Sequence, residues 1–215
     1  MTTGEGMTPG DDRLTAPDLD GLSDEGLMEE IVRGSEAAFA MLVRRYQNRI
    51  INVVSRLISD RERAAEIAQE TFLRVFIHRE RYRPSGKFST WLYTIAMNLA
   101  KNEIRRRVRQ RGVVSLDKLL EATGDSGAFV ADPGPGPERL FRRREVQAKV
   151  EKAIARLPRK FREVIVLRDV QQLSYEEIGE VLKIPGGTVR SRINRARLAL
   201  KDILDPSIEG TADEL

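Results

Sequence analysis

Apolar positions in this chain recur three and four residues apart over several long runs, and none of these runs alternates strictly, so the pattern predicts helices throughout. After the cap residue Ser35, the residues Phe39, Leu42, Val43, Tyr46, Ile50, Val53, Val54 and Leu57 fall on one wide stripe of roughly six turns. Asp60 caps a second helix, with Ala64, Ile67, Ala68, Thr71, Phe72, Val75 and Phe76 on its inner side. The break at Arg83-Pro84-Ser85-Gly86 ends that run, because a residue preceding proline is pushed out of the helical region. Ser89 or Thr90 can cap a third long helix through Trp91 towards Arg109, with Leu92, Ile95, Ala96 and Leu99 facing inward. Three such helices predict one compact helical domain over residues 24–111.

The pattern fails between Gly112 and Pro137, where glycine, proline and acidic residues surround a short apolar patch and only Lys118 opposes Asp117, Glu121, Asp125 and Asp132. That composition predicts a flexible acidic linker. Helical spacing resumes with Leu140, Val146, Val150, Ala153, Ile154 and Leu157, then in a shorter helix with Phe161, Val164, Ile165 and Leu167. Ser174 and Glu177 form a capping box ahead of Ile178, Val181 and Leu182. Pro185-Gly186-Gly187 then separates this helix from a last one striped by Val189, Ile193, Ala196 and Leu200. The expected fold is all-α: two small helical domains joined by a flexible linker, the second a four-helix domain over 138–204 with a helix-turn-helix. Residues 1–23 read as a disordered acidic extension and 205–215 as a tail.

Charge sharpens this picture through its distribution. The net charge is only +4, but residues 1–30 carry nine acids against Arg13 alone, whereas Leu99 to Arg111 sets Lys101, Arg105, Arg106, Arg107, Arg109 and Arg111 against Glu103. From Gly186 to Lys201 there are five basic residues and no acid. An anionic partner on particular faces is implied. Without cysteine and with His78 as its one histidine, the chain has no thiolate or histidine cluster for a metal. No cofactor is expected, and no nucleophile-histidine arrangement, phosphate-binding glycine loop or zincin pattern suggests an enzyme. No apolar run approaches membrane-spanning length and the N-terminus lacks a signal pattern, so a cytoplasmic protein without direct membrane insertion is expected.

Two faces carry candidate chemistry. On the last helix, Ser191, Asn194 and Arg195, flanked by Arg190, point away from the apolar stripe and can reach base edges in a major groove. Arg192, Arg197 and Lys201 lie to the flank as phosphate contacts; the alternative is a merely solvated basic helix. On the third helix, Trp91, Asn98, Lys101, Asn102, Arg105 and Arg109 form a strip beside the apolar face. Phe88 and Trp91 at its head either stack on an unpaired base or belong to the core, with Phe88 as a hydrophobic staple.

The segments Ala68-Gln69-Glu70-Thr71-Phe72-Leu73-Arg74-Val75-Phe76, Phe88-Ser89-Thr90-Trp91-Leu92-Tyr93-Thr94-Ile95-Ala96-Met97-Asn98 and Gly187-Thr188-Val189-Arg190-Ser191-Arg192 followed by Arg195-Ala196-Arg197 resemble, in this order, the bacterial sigma-70 family of the extracytoplasmic function (ECF) group. The resemblance covers nearly all of residues 24–204. It implies a sigma factor that binds core RNA polymerase, recognises the minus ten and minus thirty-five elements and promotes DNA opening. By the same resemblance, Gln69, Glu70, Leu73 and Arg74 meet the beta-prime clamp helices, while the beta flap is a second polymerase contact. Phe88, Ser89, Thr90, Trp91, Asn98, Lys101, Asn102, Arg105 and Arg106 bind the minus ten element. Arg190, Ser191, Arg192, Asn194, Arg195, Arg197 and Lys201 bind the minus thirty-five element. An anti-sigma factor is the implied regulatory partner. From the residues alone, a self-sufficient DNA-binding regulator with a dimerising N-terminal domain is the competing reading.

Overall fold

A computed structural model describes residues 19–83, 86–110 and 137–205, with side chains from Glu145 onward in the last segment. Expectations for residues 1–18, for 111–136 within the predicted linker and for the tail from 206 lie outside the described residues. Eight α-helices and no strand are found among the described residues.

The first four helices are α1 (Asp24–Val32), α2 (Glu36–Ile58), α3 (Arg61–Ile77) and α4 (Phe88–Gln110), with a single 3-10 turn at Arg79–Arg81. Each of the first three starts where a short polar side chain can accept an otherwise orphaned amide. Ser23 accepts from Gly26 N at 3.1 Å, Ser35 from Ala38 N at 3.2 Å and Asp60 from Arg63 N at 2.9 Å. Ordered chain begins earlier than residue 24. Leu19 is buried, and the Asp20 carbonyl accepts from Arg45. α1 adds Leu27, Met28 and Ile31 to a core built from Leu42, Ile50, Val53 and Val54 of α2, Ile67 and Val75 of α3, and Leu92, Ala96 and Met97 of α4.

The start of α4 departs from expectation. Neither Ser89 nor Thr90 caps it; the Phe88 amide instead donates to Glu25 Oε1 at 3.1 Å, a cap supplied by α1 from 63 residues away. Thr90 is buried, with its carbonyl accepting from Thr94 Oγ1.

The second domain contains α5 (Pro137–Arg156), α6 (Arg159–Ile165), a π-helical turn at Val166–Val170, α7 (Tyr175–Leu182) and α8 (Gly186–Leu204). Its core is Ile154, Leu157, Val164, Ile165, Leu167, Ile178, Val181, Val189 and Ile193. Arg162 is buried among them, donating to the carbonyls of Ile154, Ala155 and Leu157 and so satisfying the free end of α5. Val146 and Val150 do not join this core as their spacing suggested: Val146 is 61% exposed and Val150 is also exposed, and among the described side chains of α5 it is Ala153 and Ile154 of the last turns that are buried, while Leu140 lies outside the described side chains.

The capping box is present, with Ser174 Oγ accepting from Glu177 N at 3.1 Å and Ser174 N donating to Glu177 Oε2 at 2.6 Å. The turn after α7 is not made by the glycines. Lys183 takes the left-handed conformation at φ 56° and Pro185 precedes α8, leaving Gly186 and Gly187 inside its first turn. The glycine the turn requires is Gly179, where a Cβ would stand 3.0 Å from the Ile184 carbonyl oxygen.

The two domains are packed together. α4 lies against α7, the Tyr93 hydroxyl donates to Gln171 Oε1 at 2.6 Å, Lys87 pairs with Glu177 at 2.9 Å and Arg56 of α2 pairs with Glu151 of α5 at 3.1 Å. Burial pushes the Tyr93 phenol up to about 12, consistent with a hydroxyl that stays protonated and donates.

Candidate nucleic-acid interface

Along α4 the predicted strip is real in geometry. Asn98, Asn102, Arg105 and Arg109 are exposed, Lys101 and Trp91 are half-buried, and all lie beside the face that packs on α2 and α3. Trp91 closes an aromatic group with Tyr82 at 5.5 Å and Phe88 at 6.4 Å between ring centroids. Phe88 is wholly buried, its ring also 5.5 Å from that of Tyr46, so the expectation that it touches DNA gives way to a core role behind Trp91. Ser89 is half-exposed and Thr90 is turned inward, while Trp91 and its neighbour Tyr82 are the half-buried aromatic residues of this group.

Arg106 is differently placed from the rest of the strip. It donates to Glu103 at 2.7 and 2.9 Å, while Arg107 meets the same carboxylate at 2.8 Å and Arg63 of α3 meets it at 3.1 Å. Arg107 also holds Asp60, the cap of α3, at 2.6 Å. Hydrogen bonds from Arg106, then from Arg107 and Arg63, outweigh the burial of Glu103 and hold its carboxyl down at about 2. This knot fixes α4 to the start of α3, and it takes Arg106 out of the set of unpaired cations.

On α8, burial of Val189, Ile193 and Ala196 turns Arg190, Ser191, Asn194 and Arg195 outward together, as a reading face needs. Arg192 is half-exposed and Lys201 exposed. Arg197 is exposed but paired with Asp169 at 2.7 Å. Open space surrounds the Cα atoms of Gly186 and Gly187, so the start of α8 presents bare backbone.

The outer face of α3 carries Gln69, Leu73 and Arg74 in the open and Glu70 half-exposed, with Arg74 bound to Glu70 at 2.7 Å. Leu73 is 57% exposed, and Phe72 points inward with Ala68 and Val75, as its stripe predicted. Beside this face runs an apolar groove of about 630 Å³ between α2 and α3, lined by Phe39, Val43, Ile51, Phe72, Leu73 and Phe76. Phe76 is not in the core; it packs on Phe39 at 5.2 Å with Arg79 over its ring at 4.7 Å. The sequence places Phe39 and Val43 near this surface through the width of the α2 stripe, which exceeds what one neighbouring helix can cover, and Ile51 lies outside that stripe.

Comparison with known proteins agrees with these two halves. The model of sigma-70 region 2 matches residues 42–110 and that of sigma-70, region 4 matches residues 147–200. The RNA polymerase sigma-H factor of Pseudomonas aeruginosa is 38% identical over 183 residues, covering 85% of this chain and 94% of that protein. The ECF RNA polymerase sigma-E factor of Escherichia coli is 35% identical over 187 residues, covering 87% of this chain and 97% of that protein. Among solved structures, CnrH in complex with the cytosolic domain of CnrY has a TM-score of 0.61 at 21% identity, covering 85% of this chain and 97% of that one. The sigma factor RpoE in complex with the anti-sigma factor NepR from Bartonella quintana has a TM-score of 0.60 at 21% identity, covering 77% and 96%. These structures share the fold. The chain belongs to the sigma-70 family, in its ECF group. It is a transcription initiation factor that binds core RNA polymerase, recognises minus ten and minus thirty-five promoter elements and promotes DNA opening.

Proposed function

We propose that these tasks divide among three surfaces. Gln69, Glu70, Leu73 and Arg74 on α3 dock on the beta-prime clamp helices of the polymerase, while residues 138–204 also meet the beta flap. Ser89, Trp91, Asn98, Lys101, Asn102 and Arg105 engage the minus ten strand, Trp91 stacking on an extruded base and the cations holding phosphates. Arg190, Ser191, Asn194 and Arg195 read base edges of the minus thirty-five element, with Arg192 and Lys201 on phosphates. Arg106 and Arg197 join as their partners Glu103 and Asp169 exchange for DNA.

The observation that carries this reading is the pair of exposed basic rows on α4 and α8, one on each domain. The two promoter elements lie roughly 80 Å apart along a duplex that rises about 3.4 Å per base pair. Domains in contact through Tyr93 and Gln171 therefore separate on the polymerase, and residues 112–137 supply the length. A cytoplasmic location follows from this role; no helix among the described residues is long and apolar enough to cross a membrane. An anti-sigma factor is the regulatory partner, a reading supported by the shared fold with RpoE bound to NepR. Permanganate reactivity of minus ten thymines with core polymerase tests the strip. Lys101→Ala/Arg105→Ala protein, shown folded by circular dichroism, is expected to lose that reactivity, and unchanged reactivity would refute the assignment.

A further inference from the structure

The second half of α4 faces α6 across a cleft of about 700 Å³ lined by Lys101, Arg105, Arg159, Lys160, Phe161 and Glu163. Two of its cations come from the first domain and two from the second. Glu163 is the acid of the lining, and it is buried and already bound to Arg159 at 2.8 Å. Arg105, among the described residues, donates to the neutral Asn102 amide oxygen at 3.2 Å, and Lys160 lies over the Phe161 ring at 5.3 Å. Among the described residues no carboxylate pairs with Lys101, Arg105 or Lys160. The cleft between the domains thus gathers Lys101, Arg105 and Lys160 on its two walls, with the one lining carboxylate, Glu163, already taken by Arg159.

We propose that this interdomain cleft binds a compact polyphosphate group, either the phosphate chain of a nucleotide or an inorganic polyphosphate. A carboxylate ligand neutralises one cation, whereas a triphosphate presents several charged oxygens in a row and reaches cations on both walls at once. The volume lies within the range of small-ligand sites. Phe161 offers an apolar edge for whatever the phosphates carry. Because Lys101 and Arg105 belong to one domain and Arg159 and Lys160 to the other, the ligand favours the packed arrangement by mass action and raises the melting temperature. Competition with promoter DNA at Lys101 and Arg105 follows as well; that clause alone rests on the roles proposed above.

Calorimetric titration of the full chain with sodium tripolyphosphate and, separately, with magnesium-free ATP tests the site without polymerase or promoter, at about 0.15 M salt to suppress diffuse attraction. A single saturable site is expected, weakened roughly tenfold by Lys160→Ala and comparably by Lys101→Ala, and changed less than about twofold by Lys201→Ala on the recognition helix. Tighter binding of ATP than of tripolyphosphate assigns the site to nucleotides, and equal or weaker binding assigns it to the inorganic chain. The proposal is overturned if neither probe saturates a single site, if Lys160→Ala binds like the wild type, or if Lys201→Ala costs as much as Lys160→Ala.

Discussion

Replacing Glu103 by glutamine keeps the shape of the side chain and removes the charge at the centre of the Arg63, Arg106 and Arg107 knot. The folded carboxyl lies at about 2 against an ordinary value of 4.5. At about 1.4 kcal/mol per unit, that difference makes the ionised carboxylate stabilising by on the order of 3 kcal/mol. Glu103 is only 4% exposed, but Arg106, its first partner, is about half exposed and solvent screens that bond, so about 3 kcal/mol is the upper end. Because the folded value is depressed, the contribution is complete above pH 4.5 and disappears as pH falls towards 2. Urea unfolding of wild type and Glu103→Gln should therefore differ by up to about 3 kcal/mol at neutral pH, with the two curves converging through that acid window. A difference that stays constant from neutral to acid pH, or its absence at neutral pH, would refute the reasoning. The same variant frees Arg106, so promoter affinity at neutral pH should rise or hold while stability falls.

Other substitutions separate structural roles from contact roles. Phe88→Ala should cost about 3–5 kcal/mol of stability in denaturant, whereas Trp91→Ala, at a half-buried site, should cost less and instead impair opening of promoter DNA in a permanganate assay. Arg162→Met should lose on the order of 3 kcal/mol by thermal melting, since it leaves the carbonyls of Ile154, Ala155 and Leu157 without their donor, and Arg162→Lys should recover only part of that. Gly179→Ala gains helix propensity but presses a methyl against the Ile184 carbonyl; a net loss of about 1 kcal/mol, measured by urea unfolding, is expected.

What the residues disclosed in advance was local. The stripes of α2, α3 and α8 and the Ser174–Glu177 box depend on spacings of three and four, and they formed as helices with those faces turned inward, except that Phe76 at the end of the α3 stripe lies exposed. Spacing carries no information about partners far along the chain. It therefore missed the Glu25 cap on Phe88, the Arg63–Glu103 and Arg197–Asp169 pairs, and the packing of Tyr93 on Gln171. Val146 and Val150 failed for the converse reason: an apolar period continued past the point where a neighbour covers it. At the turn after α7, glycines drew attention to themselves while Lys183 adopted the left-handed conformation, its backbone N–H donating a hydrogen bond to the Gly179 carbonyl oxygen.

Glu25 has a practical bearing on how this protein is divided. The region 2 match opens at residue 42, inside α2, so a fragment cut to that boundary discards α1 together with Leu27, Met28 and Ile31. It also discards the carboxylate that holds the first amide of α4, and with it the anchor of Trp91. Asp24, one residue earlier, grips Arg45 and the Tyr46 hydroxyl, so the same nine-residue helix fastens both the second and the fourth helices of the domain. The smallest piece that keeps these attachments of α4 and the buried Leu19 starts at Leu19, and domain exchanges between relatives should carry their junction upstream of that residue.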